Sequence, residues 1–305
     1  MNSVTKFLAR ITAMQWFVVL TVVTVTLVLA LPPDPKALAT LHVSSAGYRL
    51  ALLILLIPYV VIWFFGFFAY GKLRSYVGYL HKSKEDAAFR TILLGMGVLA
   101  FGLIIPTAIS EVLGSIAAHH TGFKPAATII SNYLTLLVAL SVFTLIGSGA
   151  RQLTLMGKNR PTLQGIRVFA AIFIVIGVLF THLIMRNWHG NNPYYLNSAW
   201  LMLTYIAPYL FAWFMGLLCA YELFLYARSV KAVLYRRGLN QLAYGLGVVI
   251  AGDIAVQFVS SALANGKHLT VGLIVLIDYT VLLAILVGLI VMALGTKKLQ
   301  KIEEV

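Results

Sequence analysis

Eight apolar stretches, at about 14–32, 49–71, 91–116, 126–148, 166–185, 199–226, 241–263 and 271–294, dominate this chain. Each is near or above the ~18 apolar residues that a membrane-crossing helix needs. Lipid offers no partner to a bare peptide group, so a spanning segment must close its own hydrogen bonds as a helix or join a closed barrel. Barrel strands alternate apolar and polar residues, and these runs do not. The stretches predict an all-α integral membrane protein with eight transmembrane helices. Only 10% of the residues are charged, against ~25% in soluble domains, too few to clothe a water-exposed surface. The first stretch, behind Lys6 and Arg10, is longer than the 7–15 apolar residues of a signal peptide core and lacks a small-x-small cleavage site. It reads as a retained helix.

Orientation follows from the cations. Eighteen of the 23 Lys and Arg fall in the N-terminus, the connections 72–90, 149–167 and 227–240, and the C-terminal tail. The alternate set of connections holds five: Lys36, Arg49, Lys124, Arg186 and Lys267. The positive-inside rule places the first set, and with it both ends of the chain, in the cytoplasm of a cell-membrane protein. The net charge of +14 is therefore dispersed in short topological clusters and forms no nucleic-acid patch. Cys219 is the single cysteine and lies inside an apolar run, so no intramolecular disulfide forms.

The chain repeats itself. At an offset of 150, Pro58-Tyr59 matches Pro208-Tyr209, Trp63-Phe64 matches Trp213-Phe214, and Gly66, Tyr76, Gly95, Gly97 and Gly102 match Gly216, Tyr226, Gly245, Gly247 and Gly252. Over positions 57–114 the alignment gives 14 identities in 58 pairs, including a Pro-Tyr-x3-Trp-Phe-x-Gly string that apolar composition alone does not produce. At an offset of 146, Asn132 meets Asp278, Tyr133 meets Tyr279 and Gly149 meets Gly295. Four helices per unit is an even number, so both halves enter the membrane in the same sense. The expected architecture is two parallel four-helix repeats, 1–148 and 166–296, related by a pseudo-twofold axis along the membrane normal. A cytoplasmic linker 149–165 joins them, and a tail 297–305 follows. The glycines allow close helix contacts in lipid, and Pro58 and Pro208 read as kinks at the same depth in the second and sixth helices; both are packing features.

A carboxyl inside a bilayer costs ~2.5–3.5 kcal/mol on insertion scales, which makes each one a functional candidate. Four occur: Glu111, Glu222, Asp253 and Asp278. Glu222 and Glu111 lie near span ends and are secondary candidates, Glu222 with Arg228 as an interfacial partner. Asp253 lies ~18 Å from the inner edge of the seventh span, and Asp278 ~10 Å from the outer edge of the eighth, at 1.5 Å per residue. Gln257 follows Asp253 by one helical turn on the same face, and Asn132 stands where the other repeat has Asp278. Asp253, Gln257, Asp278 and Asn132 are expected to form one polar cluster. Only the second repeat carries its charges, since Asp253 corresponds to Leu103 and Gln257 to Thr107. A carboxyl that gains or loses a proton at membrane depth suits proton or cation coupling. The bland alternative is protonated acids acting as interhelical hydrogen-bond glue.

His182, the one histidine partly inside a span, is a further secondary candidate. His42, His119, His120, His189 and His268 share its side, yet no HxxxH or CxxC spacing marks a metal site. No lysine precedes Lys297 in the last spans for a retinal Schiff base, and no paired histidines sit at mid-bilayer for haem; no cofactor is called for. Ala251-Gly252-Asp253 and Asp278-Tyr279 resemble the two motifs of intramembrane aspartyl proteases, but in reversed order, without Gly-x-Gly-Asp and without Pro-Ala-Leu. No residue role is carried over. Leu299, Ile302 and Val305, three apart, suit a signalling helix leaving the membrane or a basic stop-transfer end. The preferred reading is a transporter or ion-pathway protein. Its alternatives are a non-catalytic membrane sensor or assembly subunit, and an intramembrane aspartyl hydrolase. The implied partners are the lipid bilayer, a small ion or solute, and either a second copy or another membrane subunit.

Overall fold

A computed structural model describes residues 11–32, 44–80, 85–120, 124–155, 199–265 and 271–300. Among these residues there is no strand. Seven helices are described: α1 (Ala13–Ala30), α2 (Ser45–Tyr79), α3 (Asp86–His119), α4 (Lys124–Leu155), α5 (Ala199–Ser229), α6 (Val233–Asn265) and α7 (Val271–Gln300). Six of them are long and apolar enough to cross a membrane, and α6 opens with a polar turn containing Tyr235, Arg236 and Arg237. Large apolar side chains such as Val18, Val22, Leu50, Ile57, Leu94, Phe214, Leu217 and Leu283 stay exposed along these helices. Exposure on that scale is stable where lipid is the solvent. The protein is an all-α, multi-pass membrane protein. The predicted fifth span, 166–185, and His182 within it lie outside the described residues.

Helix ends are set by local chemistry. Thr12 and Gln15 form a reciprocal capping box at the start of α1, and Ser44 accepts from the Gly47 N–H at 3.1 Å at the start of α2. Several helices outrun their apolar stretches. In α2 the chain stays helical beyond residue 71 because its cations find partners: Lys72 lies 5.6 Å from the Phe68 ring centre, and Arg74 Nη1 donates to the Ile11 carbonyl at 3.1 Å. In α4 the helix runs to Leu155, into the expected linker 149–165. The 149–155 turn is fixed by packing, as Gly149 sits against the Ala88 carbonyl and Ile92 backbone of α3. The connections expected at 72–90 and 227–240 are likewise mostly helical, and the expected tail begins inside α7. Hydropathy marks where lipid ends, and a helix needs no lipid to continue.

The six helices α2 to α7 follow one another around a closed ring in chain order, with α7 returning to α2, while α1 lies against α2 and α3. The most extensive contacts are α3 on α4 and α6 on α7. A Cβ on Gly149 would come within 2.6 Å of the Ala88 carbonyl oxygen and 3.0 Å of the Ile92 nitrogen. One on Gly295 would come within 2.7 Å of the Gly238 carbonyl oxygen and 2.9 Å of the Leu242 nitrogen. Position 238 is 88 plus 150, 242 is 92 plus 150, and 295 is 149 plus 146. Gly95 meets Ile146 as Gly245 meets Met292, and Gly66 meets Ala100 as Gly216 meets Ile250. Such close approach, with backbone against backbone, is what glycine permits and a methyl group forbids.

Candidate functional site

A cavity of about 590 Å³ opens between the ring helices. Its wall is drawn from the first halves of α2 and α7, the middles of α4 and α6, and the second half of α3, with Val28 of α1 at one edge. Helices α2, α4 and α7 begin at the end of the bundle opposite the basic connections. The cavity therefore occupies the half of the bundle away from the basic end. Most of its surface is carbon, from Leu52, Leu56, Leu99, Leu103, Val138 and similar residues, with aromatic faces from Tyr59, Trp63, Phe143 and Tyr279. Among the described residues its non-aromatic polar groups are the hydroxyls of Thr107, Ser110 and Thr135 and two carboxyls, Glu111 and Asp253. Largely apolar walls with a few placed polar groups, at a volume within ~300–1,000 Å³, describe a small-molecule site.

Asp253 is placed by its neighbour. The Trp213 indole N–H on α5 donates to Asp253 Oδ2 at 2.7 Å, a charge-assisted length for this donor. Trp213 is itself buried and tilted at 44° against Tyr209, one helical turn back. The indole is thus locked by packing before it meets the carboxyl, and the carboxyl is fixed on the cavity wall. In the sequence Trp213 stands out only as a member of the repeated string. Depth holds the missed signal: Trp213 is ~13 residues from the inner edge of its span and Asp253 ~12 from the inner edge of the next, so adjacent antiparallel helices bring them level.

Of the four residues expected to cluster, only Asp253 has its side chain among the described residues. Asp253 lines the cavity, and Glu111, ranked second from sequence, lines the same cavity from α3. Asp278 lies in α7, Gln257 in α6 and Asn132 in α4; the side chains of these three are outside the described residues, as is His182. Tyr279, next to Asp278, reaches across to α2, where its hydroxyl donates to the Ile54 carbonyl at 3.4 Å.

Glu222 is held differently from expectation. Its salt bridge is with Arg151 of α4, and Arg228 instead stacks its guanidinium 4.4 Å from the centre of the Phe224 ring. Arg228 is six residues beyond Glu222, ~240° around the helix, on the wrong face to pair with it. The extension of α4 past residue 148 carries Arg151 to Glu222 and lets the Thr154 hydroxyl donate to the Glu222 carbonyl at 3.3 Å. This joins α4 to α5 at the basic end, well away from the cavity lining.

A second carboxylate node lies at the same end. Glu85, at the start of α3, accepts from Tyr226 Oη at 2.6 Å and from Tyr235 Oη at 2.8 Å. Tyr76 and Phe89 close over it, their rings 5.1 Å apart and edge to face. Among the described residues no group of three or more His, Cys, Asp or Glu could hold a metal ion. No family model, curated protein or solved structure matches this chain.

Proposed function

We propose that the chain is a membrane transporter or ion-pathway protein in which the cavity is the solute path and Asp253 the group that binds a proton or cation. The observation that carries this reading is the carboxyl of Asp253 on the wall of a 590 Å³ cavity, aimed there by the Trp213 N–H. An acid used only as glue between helices has no need of a cavity beside it. Asp278, Gln257 and Asn132 complete the pathway in this reading, and Glu111 provides the second charge along it.

The scaffold is two parallel four-helix repeats in the cell membrane with both ends cytoplasmic. The glycine contacts that correspond at offsets 150 and 146 support the duplication, as does the ring itself. A twofold exchange of the halves carries the α4–α5 boundary onto α7–α2, and both boundaries are well packed. The surplus of Lys and Arg at one end supports the orientation.

Proteoliposomes bearing a pH gradient and a pH-sensitive dye provide the test. Asp253→Asn keeps an oxygen to accept from Trp213, and Asp278→Asn installs the residue that Asn132 already supplies in the first half. Both variants are expected to fold at normal yield and to lose proton or cation flux. Wild-type flux in both would leave only hydrogen-bond glue as the role of these acids.

A further inference from the structure

We infer that the solute held in this cavity is an amphipathic organic cation, an inference that rests on reading the cavity as the solute path. The wall sets the class by exclusion and by complementarity. Among the described residues its charged groups are Glu111 and Asp253, and no described Lys, Arg or His contributes to the lining. An anionic solute would meet two carboxyls and the electron-rich faces of Tyr59, Trp63, Phe143 and Tyr279, with no cation among the described residues to receive it. The described wall does not suit a bare metal ion as the occupant of the whole cavity. Hard cations take six or more oxygen ligands, whereas this lining is predominantly carbon and its volume of about 590 Å³ is far larger than any ion. A neutral lipid or sterol would fill the apolar part, but it gives no reason for Asp253, an acid that is expensive at membrane depth, nor for a second acid on the same wall.

An organic cation uses every feature. Its apolar body displaces poorly held water from the leucine and valine surface. Its charge is received by aromatic faces, where cation–π attraction strengthens as water is excluded, and by the two carboxyls. The charge need not be a donor, since quaternary ammonium and phosphonium centres bind aromatic walls without a hydrogen bond.

The test is equilibrium binding of radiolabelled tetraphenylphosphonium to the full chain in phosphatidylcholine nanodiscs, with empty nanodiscs subtracted. Tetraphenylborate, of the same shape and opposite charge, is the competitor. Saturable binding at one site per chain is expected, displaced by unlabelled tetraphenylphosphonium and not by an equal concentration of tetraphenylborate. Glu111→Gln and Asp253→Asn should each weaken it about tenfold. Glu111 is exposed, so its variant tests the charge without endangering the fold. Absence of saturable binding, equal displacement by the borate, or wild-type affinity in both variants overturns the inference. Transport is separable from it. Saturable binding together with unchanged proton flux in Asp253→Asn and Asp278→Asn upholds the cation site and removes the coupling role. Lost flux in those variants without saturable binding does the opposite.

Discussion

Trp63 and Trp213 occupy corresponding positions in the two halves and are packed alike. Each leans on a tyrosine one turn back, Trp63 on Tyr59 at 6.5 Å and 51°, Trp213 on Tyr209 at 6.3 Å and 44°. Both are buried. What differs is the residue at the corresponding place on the next helix, Leu103 in one half and Asp253 in the other. Trp63 lines the cavity beside an apolar neighbour, while Trp213 spends its N–H on a carboxylate. Two regions with the same packing can thus differ in chemistry at one position. Similar packing carries an apolar neighbour at one position and a carboxyl held by the indole N–H at the other.

The largest effects should come from the glycines that make the halves alike. Gly149→Ala and Gly295→Ala each force a methyl group against a backbone carbonyl, and each should destabilise the protein by about 1–3 kcal/mol. Gly247 has nothing within 4 Å of the place a Cβ would take, so Gly247→Ala should be neutral or stabilising by up to about 1 kcal/mol. Thermal unfolding in detergent reads all three. A protein that tolerates Gly149→Ala but not Gly295→Ala would break the correspondence between the halves.

Next come the tryptophans themselves. Trp213→Phe leaves Asp253 Oδ2 without its donor and should cost about 1–2 kcal/mol, more than Trp63→Phe, which loses packing alone. Leu103→Asp should abolish that difference by giving Trp63 a carboxyl to hold. A double-mutant cycle of Trp63→Phe with Leu103→Asp then measures the bond, with about 1 kcal/mol or more of coupling expected. Equal losses in the two wild-type-background Phe variants would show that the Trp213–Asp253 bond adds nothing.

Much of this was legible in the residues. Apolar length alone located every described helix, because lipid punishes any interruption. Helix ends were not legible, since α2 and α4 continue on contacts made by other helices, through Arg74 to Ile11 and Arg151 to Glu222. Asp253 stood out by its cost at membrane depth, but its partner did not, because Trp213 stood out only as part of the repeated string. Glu111 ranked lower for lying near a span end, and it lines the same cavity as Asp253. Depth along the helix was visible, and the cavity that reaches out to it was a property of five other helices.

The smallest effect, and the one that sharpens the comparison at the opposite end of the bundle, concerns Glu85 and Tyr235, which also correspond at offset 150. Here the asymmetry is reversed: the acid is in the first half and accepts from Tyr226 and Tyr235 of the second. Burial, reinforced by the neighbouring Tyr76, pushes the Tyr235 phenol well above its ordinary value. The phenol is thus a donor in the folded protein at every pH where the unfolded chain also keeps it protonated. Its contribution is fully present below the unfolded value of about 10. It is lost as pH rises beyond that, because the unfolded state ionises first and gains stability relative to the folded one. Tyr235→Phe should therefore cost about 1 kcal/mol at pH 7, one hydrogen bond to a charged acceptor offset by a better-buried ring, and the gap to wild type should close as pH passes 10. Tyr226→Phe should cost about as much at pH 7, and neither variant should alter flux, since the node lies far from the cavity lining. Melting curves from pH 7 to 11 decide it. A gap between wild type and Tyr235→Phe that stays constant across that range would mean the phenol is not held as a donor to Glu85, and the two ends of the bundle would no longer be comparable as sites where one half supplies the acid and the other the donor.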